Sequence, residues 1–140
     1  MKSILTTILL FLGSIAFAQT NQEQQNKSIA LGVFEAFNAH DWQKMAGYYH
    51  DEAVIEDPSE PEPVIGVADM PTKYAGYAEF VPDIQDKVTN LYVFRNHVVI
   101  EFTSHGTTIE GDAFSLPICT IMTIEDGKIT RDASYYDLKN

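Results

Sequence analysis

Proton transfer is the chemistry open to a handful of side chains in this sequence. Asp57 closes the apolar alternation Ala53-Val54-Ile55-Glu56-Asp57 and is followed at once by Pro58 and the acidic stretch Ser59-Glu60-Pro61-Glu62-Pro63. A carboxylate at a strand end beside a loop suits acid/base work on a bound molecule. The same residue can instead cap the turn that follows. Further on, Asp132, Ser134 and Tyr136 stand two apart and share one face of an extended segment. Asp132 is either a second acid/base group or half of a solvated pair with Arg131. His105 ends the segment Val98 to His105 on the face it shares with Glu101 and Thr103, opposite Ile100 and Phe102. If that face turns inward, a histidine beside a carboxylate is a proton shuttle near neutral pH. Otherwise His105 begins the turn at Gly106 and is solvated.

The elements that must position these groups fall into two blocks. After a polar, Gln-rich stretch from Thr20 to Lys27, the residues Ile29, Ala30, Val33, Phe34 and Phe37 recur at helical spacing and predict a first helix. Asp41 is placed to cap a second, with Trp42, Met45, Tyr48 and Tyr49 as its aromatic stripe and His50-Asp51-Glu52 as its solvated end. A third helix starts near Asp69, tolerates Pro71 in its first turn and stops at Pro82. From Asp83 the period becomes two. Val88, Asn90, Tyr92 and Phe94 alternate in one strand, Val98 to His105 forms the next, and Phe114 to Ile124 is joined to Ile129 to Tyr136 through the hairpin signal Asp126-Gly127. Helices first, then a curling antiparallel meander, is an α+β layout with the helices packed on one side of a strongly curved sheet.

The first residues stand apart from that domain. Lys2, the apolar run Ile4 to Phe17, and Ala16-Phe17-Ala18 before Gln19 have the form of a secretory leader with an Ala-x-Ala cleavage site. The run is shorter than the roughly 20 residues of a membrane span, and Gln19 is not the cysteine that a lipid anchor would need. Residues 1–18 are therefore expected to be removed, and residues 19–140 to be exported, periplasmic or secreted, as one domain without a membrane anchor. Cys119 is the sole cysteine, so no intramolecular disulfide can form; its neighbours Leu116 to Ile121 read as buried strand. With 20 acidic and 9 basic residues the formal charge is −11, which excludes nucleic acid and anionic membrane surfaces as partners. Neither His50-Asp51-Glu52 nor Glu56-Asp57 has metal-ligand spacing, so no metal is assigned.

Asn38-Ala39-His40-Asp41, then Glu56-Asp57-Pro58, then Pro117, Asp126-Gly127-Lys128 and Arg131 to Tyr136 together resemble the ketosteroid isomerase and SnoaL-like cyclase superfamily. The resemblance runs over nearly all of residues 19–140. It implies a nuclear-transport-factor-like cone enclosing an apolar pocket, a homodimer formed through the sheet, and no cofactor. It sets Asp57 at the isomerase's general base and turns the face of Asp132, Ser134 and Tyr136 toward the pocket, where Asp132 would oppose Asp57. Two carboxylates in one apolar pocket drive their pKa values apart, leaving one ionised as base and the other protonated as donor. The isomerase's oxyanion hole, a tyrosine and a protonated aspartic acid, is replaced by Val33 and Cys119, so steroid isomerisation by that machinery is not expected. SnoaL-like cyclases lean on the substrate's own enolate and need less of a hole, which suits these residues better. Trp42, Val33, Cys119, Ser134 and Tyr136 are the expected wall positions, Trp42 and Tyr136 as wall or core and Cys119 as a small buried hydrophobe. The expected function is acid/base isomerisation or cyclisation of a small apolar or cyclic carbonyl compound, carried by Asp57, Asp132 and His105. A non-catalytic small-molecule receptacle or dimerisation module of the same fold is the alternative.

Overall fold

The computed structural model describes residues 2–138, with side chains from Thr20 onward, so the expected leader falls outside the residues whose side chains are described. Helices α1 (Lys2–Asn38) and α2 (Trp42–Ala46) lead into β1 (Tyr49–Glu56) and the short β2 (Val64–Ile65). Helix α3 (Met70–Phe80) precedes β3 (Gln85–Phe94), β4 (His97–Thr107), β5 (Ala113–Glu125) and β6 (Lys128–Tyr135). The strands form one curved, unclosed sheet in the order β2-β1-β6-β5-β4-β3. Every neighbouring pair is antiparallel except β1 and β6, which run parallel. Phe34 and Phe37 of α1 meet Val98, Ile100 and Phe102 of β4 and Met122 and Ile124 of β5 in a single buried cluster, which fixes the helices to one face of the sheet. Among the described residues no helix is long and apolar enough to cross a membrane.

Local chemistry explains the element ends. Asp41 accepts from the Lys44 N–H at 3.0 Å and opens α2 as predicted. The helix, however, lasts only five residues. Tyr49 sits opposite Ile129 in the β1–β6 ladder, and the Ile129 N–H donates to the Tyr48 carbonyl at 3.0 Å. Sheet pairing therefore wins over a helix too short to be stable alone. The expected stripe ends at Met45, and His50-Asp51-Glu52 lies exposed on β1 rather than at a helix end. Asp126 (φ 49°) and Gly127 (φ 77°) make the predicted hairpin turn, in which both central residues need positive φ. The stretch from Thr20 to Lys27 belongs to α1. Glu23 Oε1 accepts from the Arg95 N–H at 2.9 Å, and Asn26 Nδ2 donates to the Arg95 carbonyl at 2.9 Å, tying α1 to the β3–β4 turn.

Strand β3 departs from simple alternation. The β3–β4 register slips between Val88 and Asn90, a β-bulge that moves later side chains to the opposite face. Leu91 and Val93 consequently pack on the core, while Tyr92 and Phe94 are exposed. The expected face of Val88, Asn90, Tyr92 and Phe94 is thus split by the extra residue.

Gly106 marks a close approach of β4 to the segment after α3. A Cβ there would stand 2.5 Å from Val81 Cγ1 and 3.3 Å from Ile84 Cα. Gly106→Ala is expected to lower the unfolding free energy by about 1–3 kcal/mol, read as a lower urea midpoint at constant slope. An unchanged midpoint would mean that the Val81 segment yields freely.

Candidate functional site

Helix α1, helix α3 and the inward faces of β3 to β6 line a cavity of about 330 Å³. Alternation along β6 directs Asp132 and Ser134 into it, and Tyr136 follows just beyond the strand. Tyr49 Oη donates to Asp132 Oδ2 at 2.7 Å, and Thr120 Oγ1 donates to Asp132 Oδ1. Ser134 Oγ donates in turn to Thr120 Oγ1 at 3.4 Å. Burial raises the Asp132 carboxyl above the ordinary carboxylate range, and the Asp57 charge adds to the rise. The Thr120 and Tyr49 hydroxyls pull the other way without overcoming it.

Asp57 lies just past β1, where it lines both this cavity and a smaller neighbour of about 140 Å³. Its Oδ1 accepts from the Ser59 N–H at 2.9 Å, from Ser59 Oγ at 2.6 Å and from Tyr136 Oη. Burial pushes this carboxyl up, but the Ser59 and Tyr136 bonds and the Lys73 charge together outweigh it and hold Asp57 below its ordinary value. Among the described residues no hydrogen bond reaches Asp57 Oδ2. The two carboxyls are therefore driven in opposite directions, Asp57 toward the ionised form and Asp132 toward the protonated one.

Among the polar groups of the lining that were not expected from sequence, Asp86 and Tyr74 are two. Asn38, at the end of α1, clamps the backbone of Asp86: its Oδ1 accepts from the Asp86 N–H at 2.7 Å and its Nδ2 donates to the Asp86 carbonyl at 2.9 Å. The Asp86 side chain is left facing the cavity, with Oδ1 buried and without a hydrogen-bond partner among the described residues. Burial pushes its carboxyl up to about 6 against the smaller pulls of Ser104, across the ladder, and His105. A signal for it existed, because Ile84, Asp86 and Val88 stand two apart and both apolar members pack on the core. Tyr74 of α3 is the other. Its hydroxyl makes no hydrogen bond among the described residues, and burial followed by the charges of Asp132, Asp57 and Asp86 raises its phenol, so it stays a donor amid three carboxyls.

Of the residues singled out from sequence, Val33, Asp57, Asp132, Ser134 and Tyr136 line the cavity. His105 does not: Val98, Ile100, Phe102 and Ser104 take the buried face of β4, which leaves His105 exposed on the outer one. The apolar alternation Val98, Ile100, Phe102 carried that information. Cys119 is corrected for the same reason. Ile118 and Thr120 face the cavity, and Cys119 lies half-buried on the outer face opposite Glu101. Trp42 is outside the lining as well, its ring stacked between His40 and Tyr74 at centroid distances of 5.0 and 5.9 Å. In the loop from Ser59 to Pro63, Ser59 lines the cavity and Glu60 pairs with Lys73 of α3 at 2.7 Å. Among the described residues no group of three or more His, Cys, Asp or Glu side chains is arranged to hold a metal ion.

Comparison with known proteins agrees with this architecture. The SnoaL-like domain family matches residues 30–132. No curated protein matches the sequence. A protein of ketosteroid isomerase-like fold from Catenulispora acidiphila, solved in complex with trimethylamine, superposes with a TM-score of 0.71 at 19% identity, covering 79% of this chain and 85% of its own. A protein from Jannaschia, provisionally named a SnoaL-like polyketide cyclase, gives 0.73 at 20% identity, covering 83% and 88%. One from Xanthomonas campestris, provisionally named a polyketide cyclase, gives 0.70 at 21% identity, covering 83% and 93%. The shared fold is the nuclear-transport-factor-like cone.

Proposed function

The chain belongs to the SnoaL-like domain family, and from that premise we propose that its cavity binds a small carbonyl-containing molecule and moves a proton on it by acid/base catalysis. The observation that carries the reading is geometric: Asp132, half-buried and held by the Tyr49 and Thr120 hydroxyls, faces the same cavity as Asp57, whose charge adds to the rise of the Asp132 carboxyl. A proton-transfer group works best when its pKa approaches the working pH, and of the two carboxyls Asp132 is the one moved in that direction. Asp132 accordingly takes and returns the proton, and Asp57 supplies the neighbouring negative charge that keeps Asp132 basic. This exchanges the emphasis expected from sequence, where Asp57 stood as the base. Tyr74, with its free hydroxyl in the same cavity, is placed to donate to the carbonyl oxygen as negative charge develops there. Enolisation needs no more than these groups, and isomerisation or cyclisation can follow from it. The provisional polyketide cyclase names of two structural relatives and the trimethylamine held by a third fit a small-molecule site.

A binding role without turnover is the second reading, favoured by one observation: the three donors on Asp57 Oδ1 make it a well-satisfied turn carboxylate. Carbon-detected NMR titration of both side chains decides. Proton transfer requires Asp132 to titrate above the ordinary value of about 3.9 and to fall in Asp57→Asn. Both groups titrating near that value, with no coupling, would leave only the receptacle.

A further inference from the structure

The walls of the cavity have a charge and a chemistry that narrow what it can hold. Three carboxyls line it, Asp57, Asp86 and Asp132, and among the described residues no lysine, arginine or histidine does. The nearby basic groups stand outside the lining: His105 is on the outer face of β4, from where it acts on Asp86 across the strand, and the Lys73 charge reaches Asp57 from the neighbouring cavity. Lys73, in the smaller neighbouring cavity, pairs with Glu60 at 2.7 Å, and Arg131 is held by Glu56 through two bonds of 2.8 Å. The rest of the lining is rich in aromatic rings, among them Phe34, Phe37, Tyr74, Tyr77, Phe102 and Phe114. Ring faces are negative and attract cations, most strongly where water is excluded. A neutral guest would leave the Asp86 carboxylate with only Ser104 and the outward-facing His105 to offset its burial, and an anionic one would add repulsion.

We infer that the ligand of this cavity is a small organic cation, a protonated or fully alkylated amine, seated between the aromatic walls and the Asp86 carboxylate. The inference rests on the reading of the cavity as a small-molecule site and adds a positive nitrogen to the carbonyl compound proposed above. Asp86 is suited to the part because Asn38 holds its backbone by two hydrogen bonds while its Oδ1 is buried without a hydrogen-bond partner among the described residues. Asp132, held by the Tyr49 and Thr120 hydroxyls, serves the proton transfer, which leaves Asp86 for the ligand's charge.

Calorimetric titration with choline, and with dimethylbutanol in which a carbon replaces the quaternary nitrogen, tests the charge alone. Choline is expected to bind about tenfold or more tightly than the alcohol, a difference of about 1.4 kcal/mol. Asp86→Asn is expected to remove that advantage while leaving the alcohol's affinity unchanged. Phe114→Leu, at a half-buried wall position outside the main core cluster, is expected to weaken choline about threefold and the alcohol less. Equal or weaker binding of choline, binding of neither compound, or choline affinity unmoved in Asp86→Asn overturns the inference. Because the readout is binding of compounds with no carbonyl, it stands apart from the Asp132 titration: a choline-binding protein with uncoupled aspartates would keep the inference and lose the proton-transfer reading.

Discussion

Asp132→Asn is expected to abolish the protein's acceleration of α-proton exchange in an enolisable cyclic ketone, followed by NMR in heavy water, with a loss of about 10²–10⁴. The substitution is nearly isosteric. Its amide oxygen can still accept from Tyr49 or Thr120, the two hydroxyls that hold the native carboxyl, so shape and burial persist while the ability to take a proton is gone. Asp57→Asn should act differently. The negative charge of Asp57 is one of the causes that raise Asp132, so its removal should move the acidic limb of the rate–pH profile to lower pH. The plateau should stay within a few fold. If Asp57→Asn abolished exchange and Asp132→Asn left it intact, the assignment of roles would be wrong. A wild type that exchanges no faster than buffer would leave a receptacle.

Asp86→Asn is expected to make the ligand-free protein more stable at pH 8 and to lose that advantage near pH 4. An acid raised in the folded state to about 6 binds its proton more readily folded than unfolded, where the value is near 3.8. Wild-type stability therefore falls as pH rises between those two values, and the penalty is complete above the upper one. A shift of this size corresponds to at most about 3 kcal/mol. The asparagine brings its own unsatisfied polar atoms into the same place, so a net gain of about 1–2 kcal/mol is expected. Thermal melts of the two proteins across that range check it, and taking the difference removes the contribution of Asp132, which both share. A variant less stable than wild type at pH 8 would mean that Ser104 and His105 compensate the Asp86 carboxylate fully. Stability given up by an ionised, unpaired group is recovered when a counter-ion binds, so choline should raise the melting temperature of wild type more than that of the variant.

What the residues disclose beforehand follows from how local each signal is. Period two put Asp132, Ser134 and Tyr136 on one face, the family resemblance turned that face toward the cavity, and the turn chemistry of Asp126-Gly127 set their strand against β5. Asp41 and Pro71 located the starts of two helices. Faces were harder than elements, since His105 and Cys119 are each one residue out of phase with the inward set, and one position reverses a side chain. The bulge in β3 and the early end of α2 depend on partners far along the chain, Glu101 and Ile129, which no local window contains. Tyr49 illustrates the cost: assigned to a helix stripe, it is in fact the first residue of β1 and a donor to Asp132, 83 positions away. For Asp86 the local sign of burial is the apolar pair Ile84 and Val88 on either side of it, which pack on the core.

The place of β6 in the sheet also governs the order in which this protein can be made. It follows the other five strands along the described residues, yet it lies between β1 and β5 in the interior of the sheet. Until residues 128–135 have emerged, β1 has only the two-residue β2 for a neighbour and β5 keeps a bare edge, while Asp57 waits without Asp132. A growing chain of this kind cannot bank a finished half and must close late through contacts distant in sequence. Open edges in the meantime invite pairing with other chains, so a chaperone that shields extended segments would raise the yield of folded protein more than one that only speeds collapse.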